Sequence, residues 1–180
     1  NLKTDQIPVA CTPGERMLVT SGLEVPSGAG RILRYEGKSG TYMSEFIPNC
    51  LQVLPSSSVD CSAVPGASEY PVDMAFGSDR GLYVANTAIG GTSTTPSGIA
   101  VKRYDGASGR FVDQNDPNAA FVRYGSGGLQ QVGGLAFGPD SNLYVSDFNT
   151  GAVLRFDGQS GALLDAGFVE RFAGRDESIA

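Results

Sequence analysis

Leu135-Ala136-Phe137-Gly138-Pro139-Asp140-Ser141-Asn142-Leu143-Tyr144-Val145-Ser146-Asp147 has two sister copies that align with it without a gap. One is Met74-Ala75-Phe76-Gly77-Ser78-Asp79-Arg80-Gly81-Leu82-Tyr83-Val84-Ala85-Asn86. The other, more divergent, is Val9-Ala10-Cys11-Thr12-Pro13-Gly14-Glu15-Arg16-Met17-Leu18-Val19-Thr20-Ser21. A recurring unit decides architecture before any single residue is interpreted. Each copy reads as a short apolar strand, a polar turn rich in Gly, Pro, Asp or Asn, and a second apolar strand, which is the composition and spacing of a β-hairpin.

Downstream of each hairpin lies a third strand: Ile32-Leu33-Arg34-Tyr35-Glu36-Gly37, Val101-Lys102-Arg103-Tyr104-Asp105-Gly106 and Val153-Leu154-Arg155-Phe156-Asp157-Gly158. Each runs into a Ser-Gly pair (Ser39-Gly40, Ser108-Gly109, Ser160-Gly161), where glycine supplies the positive φ of a tight turn. A fourth strand is expected over Thr41 to Ile47, over either Arg110 to Asp113 or Phe121 to Tyr124, and over Ala162 to Val169. The unit is then a four-stranded antiparallel meander, and the chain one repeat domain with units near 7–60, 70–130 and 132–175. Unit starts are 65 and 61 residues apart, against about 40 to 50 for a blade without insertions. The surplus falls in surface loops at 22–30 and 88–98 and in linkers at 49–70 and 115–131.

The 180 residues carry 13 Lys and Arg against 19 Asp and Glu, a net charge of −6. That balance and the absence of a basic cluster argue against nucleic acid or an anionic membrane as partner. No apolar run approaches the roughly 18 residues of a membrane-spanning helix. Gly at 25 residues points to many turns, and 41% hydrophobic content is enough for a core. There is no histidine, which removes the Ser-His-Asp triad, the Cys-His pair, imidazole metal sites and the usual proton shuttle. Carboxylate pairs, Lys or Tyr acids and oxygen-ligated metals remain open. No Gly-x-Ser-x-Gly elbow, Cys-x-x-Cys pair or phosphate loop is present.

Three cysteines stand at Cys11, Cys50 and Cys61, and the last two bracket a short Pro/Ser-rich loop that a disulfide can staple. A Cys50–Cys61 bridge implies an oxidising, extracellular setting.

The third unit, Gly134 to Asp147 followed by Val153 to Gly158, resembles the NHL-type blade of β-propellers, and the resemblance extends in weaker form over nearly the whole chain. It implies an all-β fold of three four-stranded blades, half a propeller or an open stack. It says little about activity, because NHL-like propellers include interaction platforms, lyases and lactonases. The family usually closes six blades, so three leave two raw edges that favour assembly.

Ser21, Asn86 and Asp147 occupy the same place at the end of the second strand. The enzymatic propellers that the chain resembles hold a divalent cation with Asp, Asn and Glu side chains near the channel mouth. That resemblance implies Asn86 and Asp147 as the metal ligands to test, with Asp73 beside them, and oxygen ligands of this charge suit Ca²⁺. Ca²⁺ takes about 6 to 8 oxygens, however, and the reading favoured here is that these side chains cap strand ends by bonding nearby backbone. Asp140-Ser141-Asn142 is read as a hairpin turn. Arg34, Arg103 and Arg155, each beside an aromatic, are assigned to cross-strand or cation–π packing, and the aromatics of the repeats to the core. A glycan-stacking surface would need those aromatics exposed.

The function expected from blade count and missing chemistry is an extracellular structural or interaction protein. It is non-catalytic, no enzyme and without a cofactor, and it assembles with itself as a filament or other homo-oligomer. Two alternatives stand beside it: a ligand-, protein- or glycan-binding part of a larger secreted propeller, and a fragment of a metal-dependent propeller hydrolase or lyase.

Overall fold

Alternating apolar residues punctuated by glycine turns form twelve strands in the computed structural model, which describes residues 9–12, 16–21, 30–47, 71–86, 98–112 and 120–169. The first sheet holds β1 (Val9–Thr12), β2 (Arg16–Ser21), β3 (Arg31–Glu36) and β4 (Tyr42–Ile47). The second holds β5 (Pro71–Phe76), β6 (Gly81–Asn86), β7 (Ile99–Asp105) and β8 (Val122–Arg123). The third holds β9 (Val132–Phe137), β10 (Leu143–Asp147), β11 (Val153–Phe156) and β12 (Leu163–Val169). All three are antiparallel meanders in sequence order, as the repeat predicts. Cys50, Cys61, the Thr92 to Ser97 loop and both chain ends lie outside the described residues.

The repeat is exact at the level of register. Cys11 pairs with Met17, Phe76 with Leu82 and Phe137 with Leu143. On the other side of the second strand, Leu18 faces Arg34, Tyr83 faces Arg103 and Tyr144 faces Arg155. In the middle sheet the two candidate fourth strands both reach β7: Phe111 bridges Tyr104, and β8 pairs Val122 with Val101 and Arg123 with Ile99.

The turn between third and fourth strands is built three times on one plan. Gly40, Gly109 and Gly161 take φ of 69°, 75° and 71°, and each donates its N–H to the carbonyl of the preceding acid, Glu36, Asp105 or Asp157. The acid's side chain accepts the serine N–H of the same turn at 2.6 Å for Ser39 and 2.8 Å for Ser108 and Ser160. The Ser108 and Ser160 hydroxyls donate to the same carboxylates at 2.5 and 2.7 Å. Those serines hold Glu36, Asp105 and Asp157 below the ordinary carboxylate range, first through the hydroxyl and then through the backbone N–H.

Each sheet buries its faces against the next sheet. Leu18, Ile32, Phe46 and Ile47 of the first meet Met74, Leu82, Val84 and Tyr104 of the second. Tyr83, Ala85 and Val101 on the opposite face of the second meet Leu135, Leu143, Val145 and Leu154 of the third. β6 is therefore buried at every residue, its even-numbered side chains serving one seam and its odd-numbered ones the other. The first strands gather on one side, with β5 packed on β9 and both β1 and β2 packed on β5.

Two outcomes follow. Leu82 is fully buried, so Leu82→Ala is expected to cost about 2–5 kcal/mol in urea denaturation, whereas Leu163→Ala, at a site 42% exposed, is expected to stay within about 0.5 kcal/mol. The depressed acids make the turns' contribution fully present above the unfolded carboxylate pKa of about 4, and it is lost as pH falls through their lower folded values. Carboxyl ¹³C shifts followed against pH should show Asp105 titrating low and moving back up in Ser108→Ala.

Candidate functional site

The end of the second strand carries Ser21, Asn86 and Asp147 in the three sheets, at the close of β2, β6 and β10. Asn86 and Asp147 are buried there, at 0% and 2% exposure. Their chemistry differs sharply.

Asp147 is a fully used cap. Its Oδ1 accepts the N–H groups of Asn149 at 2.9 Å and of Gln131 and Thr150 at 3.3 Å, and its Oδ2 accepts that of Gln130 at 2.8 Å. The carboxylate thereby ties the turn after β10 to the segment entering β9. Asp73 accepts the N–H of Met74 through Oδ1 and, across the seam, the N–H of Leu135 through Oδ2, both at 2.9 Å. It is a clamp between the second and third sheets.

Asn86 is left with an orphan. Its amide N–H donates to the Val84 carbonyl at 3.4 Å, and its backbone carbonyl accepts the Tyr124 hydroxyl at 2.5 Å. Its side-chain Oδ1 is buried without a hydrogen-bond partner. Asp73 pairs with Ala85, whose side chain lies in the seam with the third sheet, so Asn86, one residue on, faces the first sheet with Val84. The structure therefore directs Asp73 and Asn86 to opposite faces of the central sheet. Among the described residues no group of three His, Cys, Asp or Glu side chains is placed to hold a metal ion. Asp147 and Asp73 thus spend oxygens on backbone N–H groups, whereas Asn86 Oδ1 accepts none.

The repeated arginines take the packing role expected of them. Arg34 lies over Phe46 at 5.6 Å, Arg103 over Tyr83 at 5.7 Å and Arg155 over Phe168 at 5.3 Å. Asp79 accepts both Arg103, at 2.5 Å, and the Tyr83 hydroxyl, at 3.0 Å, and burial pushes the Tyr83 phenol up to about 12. Asp140 does the same for Tyr144 at 3.0 Å and bonds the Asn142 amide at 2.7 Å, so the 140–142 segment is a hairpin turn. Tyr83, Tyr104 and Phe156 are fully buried, which removes them from any glycan-stacking face.

One buried polar group escaped the sequence reading. Lys102 is 2% exposed on β7, where the equivalent third-strand positions carry Leu33 and Leu154. Its pairing with Val84 puts it on the same face as Asn86. Comparing the three copies position by position, rather than for what they share, exposes it.

No family model and no curated protein matches the chain. Solved structures do. A gluconolactonase from Xanthomonas campestris superimposes with TM-score 0.50 at 16% identity, covering 87% of this chain and 44% of that one. A chain from Thermus thermophilus, assigned by name as an oxidoreductase (glucose dehydrogenase), gives TM-score 0.52 at 12% identity, covering 88% and 47%. The three sheets are blades of a β-propeller. The neighbours are gluconolactonase-like six-bladed propellers, and this chain spans less than half of their length. The match supports the propeller and does not single out NHL repeats.

This corrects the expected function. The neighbours are named as enzymes, which overturns the non-catalytic filament subunit and the exclusion of enzyme activity. The physical reason is that missing histidine removes particular mechanisms, not catalysis, and the amides, carboxylates, tyrosines and lysine of this chain remain available.

Asp147→Ala is expected to lower stability by about 1–3 kcal/mol to the same extent with and without Ca²⁺, read by urea denaturation. A loss seen only in the presence of Ca²⁺ would instead make Asp147 a ligand.

Proposed function

We propose that this chain is part of a propeller hydrolase or lyase that acts on a small oxidised sugar such as a lactone, with Asn86 facing the reacting end of the ring. The observation that carries this is the buried, unpartnered Oδ1 of Asn86. An unmade hydrogen bond at a buried polar atom costs about 1–3 kcal/mol, and such an atom in a folded protein calls for a role. As an acceptor, it suits a substrate hydroxyl, and a polyol-derived substrate offers many. Support for the substrate class comes from the fold neighbours, both of which bear names of enzymes acting on glucose or its lactone. Tyr124 supports the geometry by bonding the Asn86 backbone carbonyl, which holds the strand end in place.

The test is lactone hydrolysis by the protein that carries this chain, followed as acid release over a panel of aldonolactones and divalent cations. Asn86→Ala is expected to reduce turnover at least about tenfold while leaving the urea midpoint unchanged or raised, because it removes an unsatisfied acceptor. Turnover equal to the parent protein's, or none on any lactone or sugar ester, would remove the proposal.

A further inference from the structure

The third strand carries one position at which the central blade breaks the repeat. Leu33 and Leu154 stand there in the first and third blades, and Lys102, at 2% exposure, in the second. Leu154 is equally buried, so the position suits an apolar side chain without help from a charge. Burying an ammonium there costs its hydration, and a chain that holds leucine twice at the same place gains nothing in packing from the exchange.

Register supplies the second observation. Lys102 pairs with Val84, so Asn86, two residues further along β6, is its diagonal neighbour on the same face of the sheet. Diagonal neighbours lie about 7–8 Å apart, within reach of a long side chain. Asn86 Oδ1 is nonetheless buried without a hydrogen-bond partner, so the lysine does not donate to it. Thr20 of β2, buried at 5%, shares the face of Leu18 and turns to the same seam. Asn86 closes β6, which sets these groups toward the end of the seam, beyond the apolar pair Leu82 and Val84. Arg34 is no rival for the role, because its place over a ring recurs at Arg103 and Arg155 and belongs to packing.

A buried cation and an unanswered acceptor, neighbours that do not bond each other, are matched by a ligand that offers an anionic oxygen to one and a hydroxyl proton to the other. A hydroxy acid carries both. From this we infer that Lys102 is the anion-recognising residue of the Asn86 site, which selects sugars bearing a carboxylate over neutral ones: the carboxylate accepts from the ammonium and a nearby hydroxyl donates to Asn86 Oδ1. The inference rests on the reading of Asn86 as a substrate contact and adds charge to the substrate class. In a buried seam the attraction of unlike charges is strong, and a neutral polyol does not repay the hydration that the ammonium gives up.

Gluconate and glucitol share a carbon chain and differ in the charge at one end, so calorimetric titration of each into the protein that carries this chain tests the charge alone. Gluconate is expected to bind at least about tenfold more tightly. Lys102→Leu should bring gluconate to the level of glucitol with its urea midpoint unchanged or raised, as the sister leucines imply, and Lys102→Arg should keep part of the preference. Asn86→Ala should weaken both ligands alike. Equal affinities in the parent, binding of neither ligand, a preference that survives Lys102→Leu, or a clearly lowered midpoint in that variant, the mark of a structural lysine, would each overturn the inference. Lactone turnover without a gluconate preference would overturn it and leave the hydrolase reading standing. A gluconate preference that depends on Lys102, with no turnover on any lactone, would uphold it and remove that reading.

Discussion

A four-stranded meander has two faces and cannot bury either by itself, so every blade in this chain depends on a neighbour for its stability. That dependence organises the structure. The central blade alternates Leu82, Tyr83, Val84 and Ala85 between two seams, and each of these side chains is fully buried because a blade stands on either side. The aromatic edges around Tyr83, the clamp from Asp73 to the backbone of Leu135, and the arginines lying over rings all occur where one blade meets the next or where its outer strand folds over its own face. Within a blade, the ladder and the Ser-Gly turns supply geometry; between blades, apolar burial supplies the free energy.

Most of the fold was legible in the sequence because the repeat is short, ungapped and punctuated. Leu135 to Asp147 and its sister copies locate two strands each, and the Asp-x-x-Ser-Gly turn after the third strand recurs with the same bonds at Asp105 and Asp157. The fourth strand of the second blade stayed ambiguous for a physical reason: Phe111 and Val122 both pair with β7, and neither segment alone has the length or alternation of an ordinary strand. The candidate site was less legible. Alignment brought Asn86 and Asp147 to the same position, but whether an amide or carboxylate is committed depends on the N–H groups that tertiary structure delivers to it. Gln130, Gln131, Asn149 and Thr150 converge on Asp147, and none of these contacts is encoded in the spacing of the repeat.

The misjudged function has a similar origin. Absence of histidine is a strong statement about mechanisms that need an imidazole and a weak one about catalysis in general. A propeller reads especially poorly in this respect, since packing keeps its blades alike while chemistry is carried by a few positions at strand ends and loops. What the three copies hold in common, the arginines lying over rings and the serine turns, is structural, and what distinguishes one copy from the others is where function has room to reside.

Lys102 and Asn86 illustrate that rule. The equivalent positions carry Leu33 and Leu154 in one case and Ser21 and Asp147 in the other, so the central blade alone places a lysine and an amide on the face that it turns to the first blade. Thr20, buried at 5%, alternates with Leu18 and so approaches the same seam from the opposite side. Three of the four buried polar or charged side chains among the described residues therefore line a single seam, while the second seam holds Asp147 and is crossed by the half-buried Asp73 clamp. Polar groups in an interior oppose burial unless each is satisfied, and a chain that can fill the equivalent position with leucine has an apolar solution at hand. At Lys102 the departure is confined to the central blade, since both other copies carry leucine there.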